Sequence, residues 1–397
     1  MIARRTIHFY PGELADAYGA LVAPPDDRTA LLAAFEDAFT RHMGAGHAVP
    51  VGSGRLGLRL ILGALGIGAG HEVVLPAFTD ESVPEAIRAV GATPRFVDVD
   101  RDTMNLGVDG VAAALGPATR AVLATHIFGN PCDVKSMARL LEARPDVALL
   151  EDCAHAIDAS LDGHHCGTFG RAAMFSFVVT KAVNTFGGGM VLAANLELAA
   201  QIRERASVLP APAALGLVRR IAIGLSLSQA TTRKGMRAAL GLALRTFDRV
   251  GVDPVAFYDR TVRGGTQNAQ IDTAFSAVQA AVALPQLRAL PATQARRNAI
   301  AERLRQALGP NLRAQRVLPG AQHAWYFVVA TTEDVPDVVR RALIRGVDLG
   351  VRPMRCVADD PSAFPNAAWL ESHTVQIPAY PELSDLDVAR IASALRR

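Results

Sequence analysis

The stretch VVLPAFTDESVPEAIRAVGATPRFVDVD, residues 73–100, decides the fold. Within it a short apolar run is followed by a helical pattern and then by a second apolar run, and the same alternation extends from Val49 to about Val191. Apolar runs that alternate with helical segments are typical of βαβ units, in which helices cover both faces of a mostly parallel sheet. The sequence therefore predicts an α/β protein.

The length of the chain predicts more than one domain. Its 397 residues exceed the roughly 100–200 residues of one typical domain. We expect a large domain at residues 1–265, with a mostly parallel mixed sheet between helices, and a smaller α+β domain at residues 266–397. Residues 206–247 contain six basic residues and no acidic residue, which predicts a basic, apolar helical insertion in the large domain.

The composition narrows the class of protein. Half of the residues are apolar and the net charge is only +3, so the charge gives no support for nucleic-acid binding. The N-terminal residues lack the apolar run of a signal peptide, and we expect a cytoplasmic protein. The four cysteines show no C-x-x-C pairing and no histidine at metal-ligand spacing, so neither a metal site nor a disulfide framework is predicted.

Lysine-dependent chemistry has few candidates, because only three of the 41 basic residues are lysines. Lys135 and Lys234 are predicted to be surface charges. Lys181 instead follows the apolar AAMFSFVV and precedes NTFGGG, at the end of a predicted buried strand. A lysine forms a Schiff base only when its amine can lose its proton, which partial burial favours. We predict that Lys181 is catalytic; a structural lysine whose stem packs on apolar surface is the alternative.

A carboxylate is expected in the same cleft. Open α/β sheets bind ligands at the carboxyl ends of their strands, and Asp152 ends the apolar run in VALLEDCAHA. There it can keep the ring nitrogen of a pyridoxal cofactor protonated. The alternative is that Glu151 and Asp152 only cap the next helix. His155, three residues farther on, either contacts the cofactor or has a structural role.

Small residues come before the helical pattern RLGLRLILGAL, namely Gly52, Ser53 and Gly54. Backbone N–H groups at a helix N-terminus bind phosphate, and the helix dipole favours an anion there. We therefore predict that Ser53 and Gly54 bind a cofactor phosphate. The hydroxyl of Ser176, shortly before Lys181, is predicted to contact the same group.

In this order the pieces resemble the DegT/DnrJ/EryC1/StrS family of sugar aminotransferases, a branch of the fold-type I enzymes that depend on pyridoxal 5'-phosphate. The resemblance covers nearly the whole chain, and the ordered set of motifs is specific although each motif alone is ordinary. The motifs are GSGRLGLRLILGALGIGAGHEVVLPAFT, GATPRFVDVD, ATHIFGNPCD, LLEDCAHAIDA, TFGRAAMFSFVVTK, GGGMV, AVQAAVALPQL and IPAYPELSD.

The resemblance implies roles for individual residues. Lys181 would hold the cofactor as a Schiff base, Asp152 would pair with the pyridine nitrogen, and His155 would contact the ring or its phenolic oxygen. The residues that would cradle the phosphate are Gly54, Arg55 and Ser176.

The resemblance also implies a ping-pong aminotransferase. It would move an amino group from a donor such as glutamate to the keto group of a sugar-like or lipid-linked acceptor, as a homodimer with shared active sites. In the family's dehydratase branch a histidine replaces the lysine, so Lys181 argues against that branch. Another pyridoxal-phosphate enzyme of the same fold, such as a dehydratase or an epimerase, and a non-catalytic regulatory homologue are the alternatives.

Several positions depart from the family pattern, and they cluster where substrate is expected. Arg55 stands in place of a small threonine, and Asp80 in place of an aromatic residue near the cofactor. Asp272 occupies the position of an asparagine that reaches the neighbouring subunit's phosphate. A carboxylate there would repel the phosphate, so either Asn268 substitutes or the contact is lost. The other departures are Ala274, Arg352 and Pro353.

The predicted insertion at residues 206–247 has two interpretations. Apolar helices with only positive charge suit an anionic membrane surface or an acidic lipid-linked substrate, so peripheral membrane contact is one hypothesis. The other is a dimer-interface or core-covering helical hairpin whose arginines pair with acidic residues elsewhere.

Overall fold

The computed structural model describes residues 1–7, 10, 12–232 and 272–396. Three sequence predictions lie outside these residues: the domain boundary near residue 265, the role of Asn268, and residues 233–247 of the insertion. In chain order, the α-helices of the described residues are α1 Glu13–Val22, α2 Pro25–Met43, α3 Gly54–Ala64, α4 Ser82–Ala89, α5 Val108–Ala114, α6 Val134–Leu141, α7 Leu196–Ser207, α8 Ala214–Thr232, α9 Ala277–Gln306, α10 Val335–Ile344, α11 Pro365–His373 and α12 Asp385–Leu395.

The strands form two main sheets and two small ones. They are β1 His47–Val51, β2 Glu72–Pro76, β3 Phe78–Thr79, β4 Thr93–Val97, β5 Thr119–Thr125, β6 Ala148–Asp152, β7 Ser160–Leu161, β8 His164–His165, β9 Ala172–Ser176, β10 Gly189–Ala193, β11 Arg313–Ala314, β12 Ala321–Gln322, β13 Val328–Thr331, β14 Gly350–Val351, β15 Arg355–Cys356 and β16 Thr374–Ile377.

The large sheet has seven strands in the order β1-β10-β9-β6-β5-β2-β4. The ladders from β9 to β4 are parallel, whereas β10 runs antiparallel to both of its neighbours. The sheet is therefore mixed and mostly parallel, and the predicted α/β class is confirmed. Its carboxyl-end edge collects the ends of β5, β6 and β9, which is where ligand-binding residues are expected.

Burial on both faces explains why the central strands are continuous apolar runs. Alternate residues of β2 point to opposite faces, so Val73 and Leu75 pack in one core while Val74 packs in another. Helices α3, α4 and α7 cover the first face. A third cluster, centred on Phe35 and Phe39 of α2, covers the sheet around β9 and β10.

A second core forms around the smaller antiparallel sheet, whose order is β11-β13-β16-β14. Ile2 is fully buried in this core and forms a bridge with Val347, so the N-terminal segment packs on the C-terminal part of the chain. That packing carries the residues after Ile2 toward the carboxyl-end edge of the large sheet.

Helix α9 joins the two cores. It begins with a capping box formed by Ser276 and Gln279, and its first half buries Leu287 against the large-sheet core. Its last turns bury Ile300 and Leu304 in the second core. Within the described residues, no helix is both long enough and apolar enough to cross a lipid bilayer.

Candidate active site

Lys181 lies in a cavity at the carboxyl-end edge of the large sheet. It follows β9 in a turn closed by a hydrogen bond from its backbone N–H to the carbonyl of Val178. Its side chain is partly buried, and Nζ lies 4.5 Å from the centre of the Tyr326 ring. It lines a cavity of about 70 Å³. The amine therefore faces a confined space and an aromatic ring, as a reactive lysine requires.

Asp152 is buried beside this lysine. It ends β6, is 5% exposed, and its Oδ1 accepts a hydrogen bond of 2.9 Å from the backbone N–H of Ala154. Burial raises the pKa of Asp152 to about 6; the Ala154 hydrogen bond and the charge of Lys181 lower that pKa, and the charge of Asp80 raises it. Asp152 and Lys181, two residues singled out in the sequence, thus lie close enough to interact electrostatically.

The capping alternative for Asp152 does not hold in the structure. Residues 153–159 form turns rather than a helix. The carboxylate does accept the Ala154 hydrogen bond, but that bond closes a short turn and leaves the other oxygen for a ligand. Glu151 does not cap a helix either, because its carboxylate binds backbone N–H groups of the loop before β9.

His155 is held as a neutral imidazole in the wall of a smaller neighbouring cavity that Lys181 also lines. Its ring stacks on Tyr326 at 4.3 Å between centres with 19° between planes. Burial lowers the pKa of His155 well below its ordinary value, and the charges of Lys181 and Arg5 lower it further. Nδ1 accepts the backbone N–H of Phe128 at 3.2 Å, so the ring proton lies on Nε2. Nε2 can therefore donate to an anionic oxygen such as a phenolate.

Ser53, Gly54 and Ser176 come together at the start of α3. Ser53 caps the helix, and its Oγ accepts from the backbone N–H of Leu56 at 3.1 Å. A Cβ added at Gly54 would lie 3.2 Å from the Cβ of Ser176, so the helix N-terminus lies close to the Ser176 side chain. The arrangement combines N–H donors, a helix dipole and a hydroxyl, which suits a phosphate.

The residues present fit a pyridoxal phosphate in this region. Besides the phosphate cradle, the structure contains a buried hydroxyl, Thr125 Oγ1, that has no hydrogen-bond partner within the described residues. Thr125 lies directly opposite Asp152 in the ladder between β5 and β6, at the edge where the cofactor would bind. A buried polar atom that lacks a partner is costly, and a polar ligand would satisfy it.

The departures from the family pattern have clear positions. Asp80 is exposed and accepts hydrogen bonds from the backbone N–H and Oγ of Ser82, at 3.0 and 2.6 Å. Arg55, in the first turn of α3, lies 4.0 Å from Glu85. Asp272 pairs with Arg59 at 2.5 Å, so its charge is offset within its own chain.

The segment around Asp272 also approaches the phosphate cradle. A Cβ at Gly52 would overlap the carbonyl of Thr273, so the two backbones are in close contact. Ala274 donates its N–H to the carbonyl of Pro210. These contacts fix the segment beside the cradle even though Asp272 replaces the family's asparagine. Arg352, another departure, has φ 47, in the left-handed region.

The sequence did not predict the hydrogen-bond network around Glu151, which holds the loop before β9 next to the site. The buried Glu151 carboxylate accepts backbone N–H groups of Gly167, Phe169 and Gly170 at 2.7–2.8 Å, and its Oε2 lies 3.1 Å from Nε2 of His126. Glu151, His126 and Cys153 are close enough to bind a metal ion. However, His126 Nδ1 accepts from the backbone N–H of Cys132, so both imidazole nitrogens already have partners. The geometry fits a hydrogen-bond network that holds the loop before β9.

The sequence also did not predict that Tyr326 and Arg5 line the cavity that contains Lys181. Each lies far from Lys181 in sequence, and no local motif marks either of them. The paired acidic residues in LLEDCA are the one local signal that pointed to Glu151.

Comparisons with known proteins agree with this architecture. The model of the DegT/DnrJ/EryC1/StrS aminotransferase family matches residues 29–396. The aminotransferase TlmJ from Streptoalloteichus hindustanus is 29% identical, with a TM-score of 0.77 and coverage of 100% of this chain and 98% of that chain. DesI, solved in the presence of its TDP-sugar product, is 26% identical, with a TM-score of 0.72 and coverage of 99% and 91%. The sugar aminotransferase CalS13 from Micromonospora echinospora shares the fold at 22% identity, with a TM-score of 0.76 and coverage of 100% and 99%.

The glycine at the start of α3 provides a test of the phosphate cradle. We expect Gly54→Ala to weaken pyridoxal phosphate binding by about tenfold or more, because the added methyl group crowds Ser176 where the phosphate would bind. Gly63→Ala in the same helix is the matched control, since a Cβ there meets nothing within 4 Å. Titration of cofactor-free protein, followed by absorbance, measures both affinities. Equal affinities for the two variants would place the phosphate elsewhere.

The buried carboxylate makes a prediction about pH. Because the pKa of Asp152 is raised to about 6, the charged form destabilises the folded state, and this cost grows as pH rises from about 4 through 6. Asp152→Asn should therefore stabilise the cofactor-free protein by about 2–3 kcal/mol at pH 8 and by less than about 1 kcal/mol at pH 4. Urea unfolding at the two pH values measures this. Asp359→Asn, at a side chain that is 94% exposed, is the control. A gain that is independent of pH would contradict the assignment.

Proposed function

Since this chain belongs to the DegT/DnrJ/EryC1/StrS aminotransferase family, we propose that it transfers an amino group from a donor such as glutamate to the keto group of a sugar-like acceptor. Family membership makes the chain an aminotransferase that depends on pyridoxal phosphate. The identity of its donor and acceptor, and the residues that hold the cofactor, are the proposal.

The observation that carries the proposal is the electrostatic interaction between Lys181 and the buried Asp152. Bound pyridoxal phosphate supplies an aldehyde that condenses with amines and a ring that accepts the electrons released when a neighbouring C–H bond breaks. Lys181 Nζ would anchor the aldehyde and, once displaced by the donor's amine, would move a proton at the substrate's reacting carbon. Lys181 is thus both the anchor and the acid–base group.

Asp152 and His155 would contact two different atoms of the cofactor ring. The Asp152 carboxylate would hold a proton on the ring nitrogen, and the positive charge so created would in turn keep the carboxylate ionised. His155 would donate from Nε2 to the phenolic oxygen, because its Nδ1 is already occupied by the Phe128 N–H. The residues that would hold the phosphate are Ser53, Gly54, Arg55 and Ser176.

The sugar-like acceptor is supported by one related structure. DesI, at 26% identity over nearly the whole chain, was solved with its TDP-sugar product. A lipid-linked acceptor is the alternative, and the apolar helix α8 would bind its lipid part. A dehydratase outside the branch that carries histidine, an epimerase or a regulatory protein of the same fold would also keep Lys181. Formation of 2-oxoglutarate from glutamate separates an aminotransferase from all three.

We further propose that the chain acts as a homodimer through the outer faces of α1 and α8. Both helices contribute to one buried cluster, through Ala17 and Leu217. Their outer surfaces expose large apolar side chains: Leu14, Tyr18 and Val22 on α1, and Leu215 and Val218 on α8. Exposed apolar patches of this kind are typical of interaction sites.

The arginines of α8 favour a protein partner over a membrane. A Cβ at Gly187 would lie 2.5 Å from a guanidinium nitrogen of Arg220, so Arg220 packs against the glycine-rich turn before β10. Burial lowers the pKa of Arg220. The charge of Arg220 therefore faces the protein. Arg219 is then the one other basic residue of the described part of α8 that could contact a membrane.

Lys181 is tested by absorbance. We expect the purified protein to show the band near 410–430 nm, about where a lysine-bound pyridoxal absorbs, and to lose it on addition of glutamate with formation of 2-oxoglutarate. Lys181→Ala should abolish both the band and the product, whereas Lys135→Ala should change neither, because Lys135 pairs with Asp162 at the surface. A bound cofactor that does not react with any amino donor would favour the rival enzymes or the regulatory homologue.

The two interpretations of α8 are separated by mass and by flotation. Light scattering should give a dimer, and Leu215→Glu with Val218→Glu should shift it toward monomer because charges would be buried at the interface. The parent protein should fail to float with anionic vesicles at both low and high salt. Salt-sensitive flotation of a monomer would overturn the dimer proposal and favour the membrane hypothesis.

A further inference from the structure

Lys181 lies on a loop, residues 177–188, that connects β9 to β10 and is closed at its base. The backbone N–H of Phe177 donates to the carbonyl of Gly188 at 2.9 Å, and the carbonyl of Phe177 accepts the N–H of Thr185 at 3.0 Å. These bonds extend the ladder between the two strands. The part of the loop that carries Lys181 extends beyond this base, so the position of the lysine depends on what holds the rest of the loop.

Phe186, near the end of this loop, has a left-handed backbone. Its φ is 57, a conformation that costs free energy for a residue with a bulky side chain. Its N–H donates to Oδ1 of Asn184 at 2.9 Å, and the backbone of Asn184 exchanges two hydrogen bonds with the side-chain amide of Gln286, at 2.7 and 2.8 Å. Packing and hydrogen bonds must therefore hold Phe186 in this conformation.

The ring of Phe186 belongs to a buried cluster outside the cavity. Phe186 is 2% exposed, and it is not among the residues that line the cavity around Lys181. The other buried members of its cluster come from three helices: Ala17 and Ala20 of α1, Leu217 of α8, and Val278, Ala281 and Val282 of α9. The cluster therefore joins the loop to three helices.

A second residue of the loop packs against the same cluster. Val179 is partly buried there, and it also lines the cavity that contains Lys181. Lys181 comes two residues after Val179 and five residues before Phe186, so it lies between two attachments to one apolar cluster. An attachment on each side of the lysine limits the positions that its backbone can adopt.

We propose that Phe186 is a positioning residue for Lys181: its buried ring fixes the loop, so that the lysine amine stays against Tyr326. This inference rests on the proposed function, which makes Lys181 the anchor of the cofactor. Because Phe186 lies outside the cavity, it can act on the amine only through the loop backbone. A glycine would adopt the same φ without cost but would supply no ring, so the anchoring ring is the feature to test.

The first experiment measures the amine in the cofactor-free protein. A brief pulse of acetic anhydride followed by peptide mass spectrometry gives the acetylation of Lys181 relative to Lys135, which lies at the surface. Phe186→Ala should raise this ratio about three- to tenfold, because a loop that opens locally exposes the amine to solvent. Phe186→Leu keeps an apolar anchor and should recover part of the protection.

The second experiment uses the protein loaded with pyridoxal phosphate. Phe186→Ala should lower the limiting rate of the glutamate half-reaction about 10–100-fold, because a small misplacement of a reacting group is costly. It should leave the half-saturating concentration of glutamate nearly unchanged, because Phe186 does not line the cavity. Phe186→Leu should recover part of the rate. Absorbance measures both quantities.

The third variant separates the ring from the strained backbone. Phe186→Gly removes the same ring but relieves the left-handed strain, so it should fold at least as well as Phe186→Ala. It should nevertheless raise the acetylation ratio and lower the limiting rate as Phe186→Ala does. It also takes the place of Phe186→Ala if that variant does not fold.

Met104→Ala is the matched control. Met104 is also buried, at 1% exposed, and has φ 61, but its core cluster contains no residue of the loop at 177–188. Met104→Ala should lower the melting temperature, as Phe186→Ala does, because both remove buried apolar atoms. It should leave the acetylation ratio and the limiting rate at the values of the parent protein.

The outcomes distinguish the two proposals. A parent protein that never reacts with an amino donor would reject the proposed function, whereas the acetylation ratio reports on the loop without any reaction. A parent that reacts normally, with Phe186 variants that match it in acetylation ratio and limiting rate, would reject only the role of Phe186. Equal changes in Phe186→Ala and Met104→Ala would also reject that role, because they would indicate a general loss of stability.

Discussion

A carboxylate removed from water governs this site, because its charge must be compensated by groups that the fold brings to it. Asp152 ends β6, and its compensating cation, Lys181, lies on the loop after the neighbouring strand β9. Neither group alone specifies a chemistry. The two groups come close together only when β6 and β9 keep their register. Glu151 helps to maintain this register by binding the loop before β9. Structural support and the proposed chemical function thus come from adjacent residues on one strand.

The parts of the molecule that follow from local pattern were predictable. Continuous apolar runs separated by helical periods fix an α/β sheet, and the scarcity of lysines singles out Lys181. The glycine-serine turn before α3 likewise has a local signal. The parts that were not predictable depend on contacts between distant segments. The stacking of His155 on Tyr326 and the pairing of Arg59 with Asp272 join residues 171 and 213 positions apart, and no periodicity in one sequence encodes such partners.

At two positions that depart from the family pattern, Asp272 and Asp80, other residues of the fold interact with the added negative charge. Asp272 considered alone would repel a phosphate, but Arg59, one turn after Arg55 on α3, offsets that charge. The oxygen of Asp80 is instead used by Ser82, and the charge of Asp80 raises the pKa of Asp152. Charge balance in this cleft is therefore distributed over α3, the turn after β3 and the segment before α9, rather than set by one pair.

The chain passes between its two cores more than once. The segment at Ile2 docks on the C-terminal sheet before α1 and α2 return to the large sheet, and α9 later spans both cores without interruption. The strand pairs β3–β15 and β7–β12 also join N-terminal and C-terminal parts of the chain, and Phe78 and Phe128 pack with Phe327 in one buried cluster. The wall that carries Tyr326 is therefore attached to the large sheet at several separate places. A substitution at any one of these attachments would leave the others to hold Tyr326 beside Lys181.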